Sequence, residues 1–118
     1  MDREQVILAL AALAQPTRLD AFQVLVAHEP HGMPAGDIAR RLAVPHNTMS
    51  SHLSILARAG LVGAERRSRT MVYRARLEQF RAMAAYLLQD CCGGRPEVCE
   101  PLLDAVLPCC PPMEVVDA

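Results

Sequence analysis

Residues 48–62 read TMSSHLSILARAGLV, and this stretch decides the fold. Met49, Leu53 and Leu56 recur at helical spacing and make one apolar stripe. Gly60 stands where a helix commonly stops in left-handed geometry. Just upstream, Ile38 and Leu42 lie four residues apart and predict a short helix over 37–43. Asp37 suits its first turn or cap, where the helix dipole favours a carboxylate. Pro45 is expected to end that helix. Asn47 or Thr48 then caps the next one, over 48–59. Two short helices joined by a tight turn, the second amphipathic, form a helix-turn-helix pattern.

Working outward, residues 3–14 read as a helix that is apolar nearly all round, through Val6, Ile7, Leu8, Leu10 and Leu13. Such a helix is expected to be buried on every side, which in a small chain calls for a partner subunit. Pro16 suits the first turn of a second helix running to about Ala27, with Leu19, Phe22 and Val26 as its stripe. His28 to Pro34 reads as a loop from its Pro and Gly content. Leu61 to Arg66 and Thr70 to Arg76 read as a hairpin with Arg67-Ser68-Arg69 at its tip. Residues 77–90 predict a last helix, with Leu77, Phe80, Ala84 and Leu87 on one face, Met83 beside it, and Cys91-Cys92-Gly93-Gly94 at its end. The tail carries Pro96, Pro101, Pro108, Pro111 and Pro112, and Leu102, Leu103 and Val106 suit a short helix near 97–106. The expected division is a domain over 1–90 and a Cys/Pro-rich tail over 91–118.

The chain has 118 residues, 52% of them apolar, and a net charge of −1. That is room for one domain with its own core, and the apolar fraction opposes disorder. With Phe22, Tyr73, Phe80 and Tyr86 as the aromatics, stacking of unpaired bases has no platform. The longest apolar run, Val6 to Ala14, is too short to span a bilayer. Ala12-Leu13-Ala14 resembles a signal cleavage site, but Asp2-Arg3-Glu4 is net acidic where a signal needs a basic start. A cytoplasmic protein without membrane contact is therefore expected.

Charge is segregated. Residues 1–36 sum to −2, residues 37–76 to +6 from eight Arg against Asp37 and Glu65, and residues 77–118 to −5. A basic middle suits nucleic acid, and it equally suits a solvated face. All the basic residues are Arg.

Helix, helix, helix-turn-helix, hairpin, helix is a winged-helix order. Gln15-Pro16-Thr17-Arg18-Leu19 resembles the "DPTRL" that opens the second helix of the ArsR/SmtB family of metal-responsive repressors. Thr48 to Leu53 followed by Leu56 to Val62 resembles that family's "TVSxHLxxLxxAGLV", and Arg67 to Tyr73 resembles its wing. The resemblance covers residues 6–90. It implies a mainly α fold with a small β-hairpin wing, a winged helix-turn-helix, homodimeric through residues 3–14 and 77–90. It also implies a transcriptional repressor bound to double-stranded operator DNA, and no enzyme. No Gly-rich nucleotide loop supports a thiol enzyme.

A recognition helix reads bases through its outward, N-terminal side chains. With Met49, Leu53 and Leu56 inward, the outward set is Asn47, Thr48, Ser51, His52 and Ile55, with Ser50 beside them. His46 in the turn suits a phosphate. Arg58, Arg66, Arg67 and Arg69 suit backbone or minor groove.

The inducer site varies within the family. One family site uses Cys-x-Cys at the start of the third helix, but the matching Pro34 and Gly36 carry no thiol. Another uses His on the last helix, and residues 77–90 contain none. Cys91-Cys92-Gly93-Gly94-Arg95-Pro96-Glu97-Val98-Cys99 resembles the C-terminal thiol cluster of an arsenic-responsive subgroup. Trivalent arsenic or antimony takes three soft thiolates, so Cys91, Cys92 and Cys99 are the expected ligands. Neighbouring residues diverge by about 100° on a helix, and Gly93-Gly94 relaxes the backbone enough for two adjacent thiols to converge. A fourth ligand from Cys109, Cys110 or a carboxylate would suit zinc or cadmium. A methylated arsenical would need two thiols only, and a thiol redox switch would need no metalloid. Cys109-Cys110 remains a candidate second site.

Overall fold

A computed structural model describes residues 1–88. The cysteines at 91, 92, 99, 109 and 110, the short helix expected near 97–106 and residues 89–90 of the helix expected over 77–90 lie outside the described residues. Element order is α1 (Arg3–Leu13), α2 (Pro16–Ala27), β1 (Met33–Pro34), α3 (Ala35–Leu42), α4 (His46–Arg58), β2 (Val62–Arg67), β3 (Thr70–Ala75) and α5 (Leu77–Leu87). The mainly helical winged helix-turn-helix expected from the sequence is what forms.

Local chemistry starts and stops these helices. Asp2 and Gln5 form a reciprocal capping box at α1, each backbone N–H donating to the other's side chain at 2.9 Å. Gln15 caps α2 by accepting from the Arg18 N–H at 2.8 Å, with Pro16 at the first helical position. In α5, Glu78 stands in the first turn, and its own backbone N–H, then Arg76, holds its carboxyl below the usual carboxylate range. That favourable contribution is complete above the ordinary carboxylate range and is lost as pH falls through the lowered value.

The helix-turn-helix is set two residues earlier than its sequence suggests. Pro45 does not end α3; Ala43 does, in left-handed geometry with φ 56°. The Val44 N–H donates to the Ala39 carbonyl and the Ala43 N–H to that of Arg40, which closes the helix. Pro45 instead flanks the start of α4, so Asn47 and Thr48 lie inside its first turn and neither caps it. At the far end Gly60 (φ 83°) accepts the left-handed turn as expected, with Gly60 N–H to Ala57 O and Leu61 N–H to Leu56 O.

The core centres on α4. Met49, Leu53 and Leu56 are fully buried, with Leu25, Ile38 and Leu61 around them. α4 packs against α1, α2, α3 and β2. Burial of each such side chain contributes about 1.5–3 kcal/mol.

The apolar stripes of α2 and α5 differ from expectation, and α1, expected to call for a partner subunit, buries only part of its apolar surface within the chain. α1 buries Val6, Ala9 and Ala12 within the chain, but Ile7, Leu8 and Leu10 are exposed. α2 buries Ala21, Phe22 and Leu25, whereas Leu19 and Val26 face outward. On α5 it is Met83 that is buried, while Leu77, Phe80 and Ala84 are half-buried and Leu87 is exposed. In each case the apolar residues cover more of the helix than one small chain can bury, so periodicity alone does not say which arc faces in.

The sheet is antiparallel in the order β1-β3-β2. β2 and β3 pair from Val62↔Ala75 to Arg67↔Thr70, the expected hairpin. β1 is the unexpected strand, inside the segment read as a loop: Met33 pairs with Tyr73 and Pro34 with Val72. It lies at the sheet edge, where a Pro without an N–H is tolerated. Gly32 makes this approach possible. Its φ is +77°, and an added Cβ would sit 2.5 Å from the Tyr73 carbonyl oxygen.

Gly32→Ala is therefore expected to destabilise the fold by more than about 1 kcal/mol, through both strained φ and overlap. Ala43→Gly is expected to stabilise by up to about 1 kcal/mol, because it relieves a left-handed alanine. Urea unfolding of the two variants beside wild type checks both signs.

Candidate nucleic-acid interface

Helical geometry divides α4 into two faces. Opposite the buried stripe, Asn47, Ser51, Ser54 and Arg58 recur at steps of four, three and four residues and are all exposed. His46 and Thr48 are exposed at the same N-terminal end. Ser50 and His52 are half-buried on the flanks. Ile55, expected outward, is not: it is half-buried and packs against the core. Ser54 takes its place in the row. The 47, 51, 54, 58 spacing was available in the sequence and identifies it.

No side chain caps the start of α4, so its first backbone N–H groups are not taken by a protein acceptor from a cap residue. Such a terminus favours an anion. Between the N-terminal turns of α3 and α4 and the wing lies a cleft of about 350 Å³, with Gly36, His46, Ser50, Arg69, Thr70 and Tyr73 among its lining. The structure thus brings His46 and Ser50 of α4 beside Arg69 of the wing.

The wing arginines are not equivalent. Arg67 is tied back: it donates to the His31 carbonyl at 2.9 Å and to Glu65 at 2.8 Å. Arg66 and Arg69 are exposed and form no ion pair with an acid among the described residues. Arg74 holds Glu29 bidentately, at 2.7 and 3.3 Å. Glu29, by hydrogen bond and then by charge, raises the Arg74 pKa above its ordinary value. So the 28–34 segment is strapped to the wing by Arg67, by Arg74 and by the β1–β3 pairing.

Arg18 is the residue that sequence reasoning passed over. It was visible as part of Gln15-Pro16-Thr17-Arg18, but its contacts were not. Its Nε donates to the Ala12 carbonyl, 2.6 Å away at the end of α1. Its Nη1 lies 3.3 Å from His52 Nδ1 on α4.

Among the described residues no group of three or more His, Cys, Asp or Glu could hold a metal ion. His28 contacts the Val24 carbonyl at 2.8 Å and Arg41 at 3.4 Å. No described helix is long and apolar enough to cross a membrane.

Glu29→Gln removes the charge facing Arg74. Faster amide hydrogen exchange is expected across β1–β3, with exchange in α1 and α2 unchanged. Uniform acceleration across the chain would contradict the strap.

Comparison with known proteins gives a consistent result. Residues 13–62 match a helix-turn-helix domain family. A search of curated proteins finds no match. Among solved structures, an ArsR-like transcriptional regulator from Rhodococcus sp. RHA1 is 24% identical, with 89% of this chain and 92% of that one covered and a TM-score of 0.65. A homodimeric winged helix-turn-helix DNA-binding domain from Mycobacterium bovis, described as a possible ArsR-family transcriptional regulator, is 24% identical over 86% of this chain and 84% of its own, with a TM-score of 0.61. A third, described as a possible transcriptional regulator for arsenical resistance, is 24% identical over 88% of this chain and 97% of its own, with a TM-score of 0.57. The helix-turn-helix match falls on α2 to α4, the β2–β3 hairpin supplies the wing, and the chain has a winged helix-turn-helix fold similar to that of these structures.

Proposed function

We propose that the chain is a homodimeric repressor that releases its operator when trivalent arsenic or antimony binds Cys91, Cys92 and Cys99. The observation that carries the DNA half is the exposed row Asn47, Ser51, Ser54 and Arg58. It begins at an uncapped helix end beside a cleft that Arg69 of the wing also lines, and Arg66 is exposed on the same wing. Side chains of that kind read base edges, while Arg and backbone N–H groups hold phosphates. Dimerisation is supported by the exposed Ile7, Leu8 and Leu10 on α1 and Leu87 on α5, since α1 and α5 pack together and a monomer seldom leaves such apolar side chains in water. The Mycobacterium bovis domain of similar fold is described as homodimeric. A two-fold dimer would place its α4 helices in major grooves about 34 Å apart.

The sensing half is supported by chemistry and sequence. Three thiols within nine residues suit a soft trivalent metalloid. One structure of similar fold is described as a possible regulator for arsenical resistance. Loss of repression requires that ligand and DNA each weaken the other's binding by the same factor.

Gel shift on the candidate promoter tests this. Arsenite is expected to release wild type, and Cys99→Ser is expected to need far more of it. If Cys99→Ser releases DNA at the wild-type arsenite concentration, the three-thiol set is wrong and the pair Cys91-Cys92 suits a methylated arsenical. Independently, Arg66→Ala or Arg69→Ala is expected to reduce the salt slope of operator binding by about 0.9 per arginine lost, roughly two per dimer. An unchanged slope would remove that residue from the phosphate contacts.

A further inference from the structure

Arg18 joins two elements that the proposed function uses for different purposes. Through Nε it hydrogen-bonds the Ala12 carbonyl at the end of α1, the helix with the exposed apolar face. Through Nη1 it lies 3.3 Å from Nδ1 of His52, on the helix with the exposed polar row. A guanidinium has donors and no acceptor, and it stays protonated in proteins. The imidazole nitrogen facing it must therefore be the acceptor. In a neutral imidazole that leaves the proton on Nε2.

We infer that Arg18 is a positioning residue for DNA reading: it holds His52 in the Nε2–H tautomer, so that α4 presents a hydrogen-bond donor there, and it makes that donor depend on where α1 ends. The donor suits an acceptor on DNA, a purine N7 or O6, a thymine O4 or a phosphate oxygen. His52 is half-exposed, and its Nδ1 lies beside Arg18. The Gln15 cap adds to the arrangement. It accepts from the Arg18 backbone N–H at 2.8 Å, which fixes the stem of the side chain that bridges the helices. The inference rests on the operator-binding reading above.

Two measurements on the full chain test it. Nitrogen-15 NMR of the His52 ring at pH 8 is expected to show Nδ1 unprotonated and Nε2 protonated in wild type. Arg18→Met is expected to mix the tautomers, and Arg18→Lys, which keeps a donor, to retain more of the Nε2–H form. An Nδ1–H form in wild type, or no change in Arg18→Met, overturns the inference whether or not DNA binds. A double-mutant cycle on operator affinity supplies the second readout. Arg18→Met and His52→Ala are each expected to weaken binding on the order of tenfold, and the double variant to be no weaker than either. Additive losses overturn the inference. If Asn47→Ala and Ser51→Ala also leave operator binding intact, it is the operator reading that fails, and the tautomer result stands apart from it.

Discussion

The buried stripe of α4 is the constraint on which the structure depends. Met49, Leu53 and Leu56 have no solvent exposure, and α1, α2, α3 and β2 all pack against the helix that carries them. Cavity costs of about 2–5 kcal/mol for truncating such residues exceed what any surface contact here supplies. This makes the opposite face rigid without using any of its side chains for structure. Asn47, Ser51, Ser54 and Arg58 are free to be polar and exposed because their helix is fastened from behind. A reading surface needs that combination, since side chains on an anchored helix are held more closely than side chains on a loop.

The wing is fastened differently. β2 and β3 have each other, and only Val62, Val72 and Ala75 of the hairpin are fully buried. What fixes the hairpin to the body is the short segment before α3. It adds β1 to the sheet edge, accepts from Arg67 at His31 and from Arg74 at Glu29. Gly32 lets the backbones meet at a spacing no side chain permits. Polar straps of this kind are weaker than a core and open locally at lower cost. The two proposed DNA-facing parts therefore differ in stiffness: a firmly packed helix and a tethered hairpin.

Most of this architecture was legible in the residues, and the failures share a cause. The α4 stripe is legible because Met49, Leu53 and Leu56 recur at steps of four and three residues with Ser50, Ser51, His52 and Ser54 between them. α1 could be recognised as a helix, but not which arc faced inward, because Val6 to Ala14 offers apolar residues on every side. Ile55 reads as outward because three inward positions already fill the stripe; a half-buried flank has no signature of its own. β1 was hidden because two residues, one of them Pro, cannot show a period. The Arg18–His52 contact spans 34 residues, and no local pattern encodes it. The cysteines were the most conspicuous feature of the sequence, and they lie outside the described residues.

The fold also revises the charge argument. The basic middle of the chain holds eight Arg between residues 37 and 76. Folding pairs Arg40 with Asp37, Arg67 with Glu65, Arg74 with Glu29 and Arg76 with Glu78. Glu29 comes from outside the basic stretch and Glu78 from just beyond it, so summing charge along the chain overstates the positive field. Arg41, Arg58, Arg66 and Arg69 form no ion pair with an acid among the described residues. Of these, Arg58 belongs to the exposed row of α4, while Arg66 and Arg69 stand on the wing. A net +6 over residues 37–76 thus becomes a few placed cations on two elements. On the proposed operator-binding reading, phosphate contact would supply register and modest affinity, and discrimination between sequences would fall to the uncharged row Asn47, Ser51 and Ser54 together with His52.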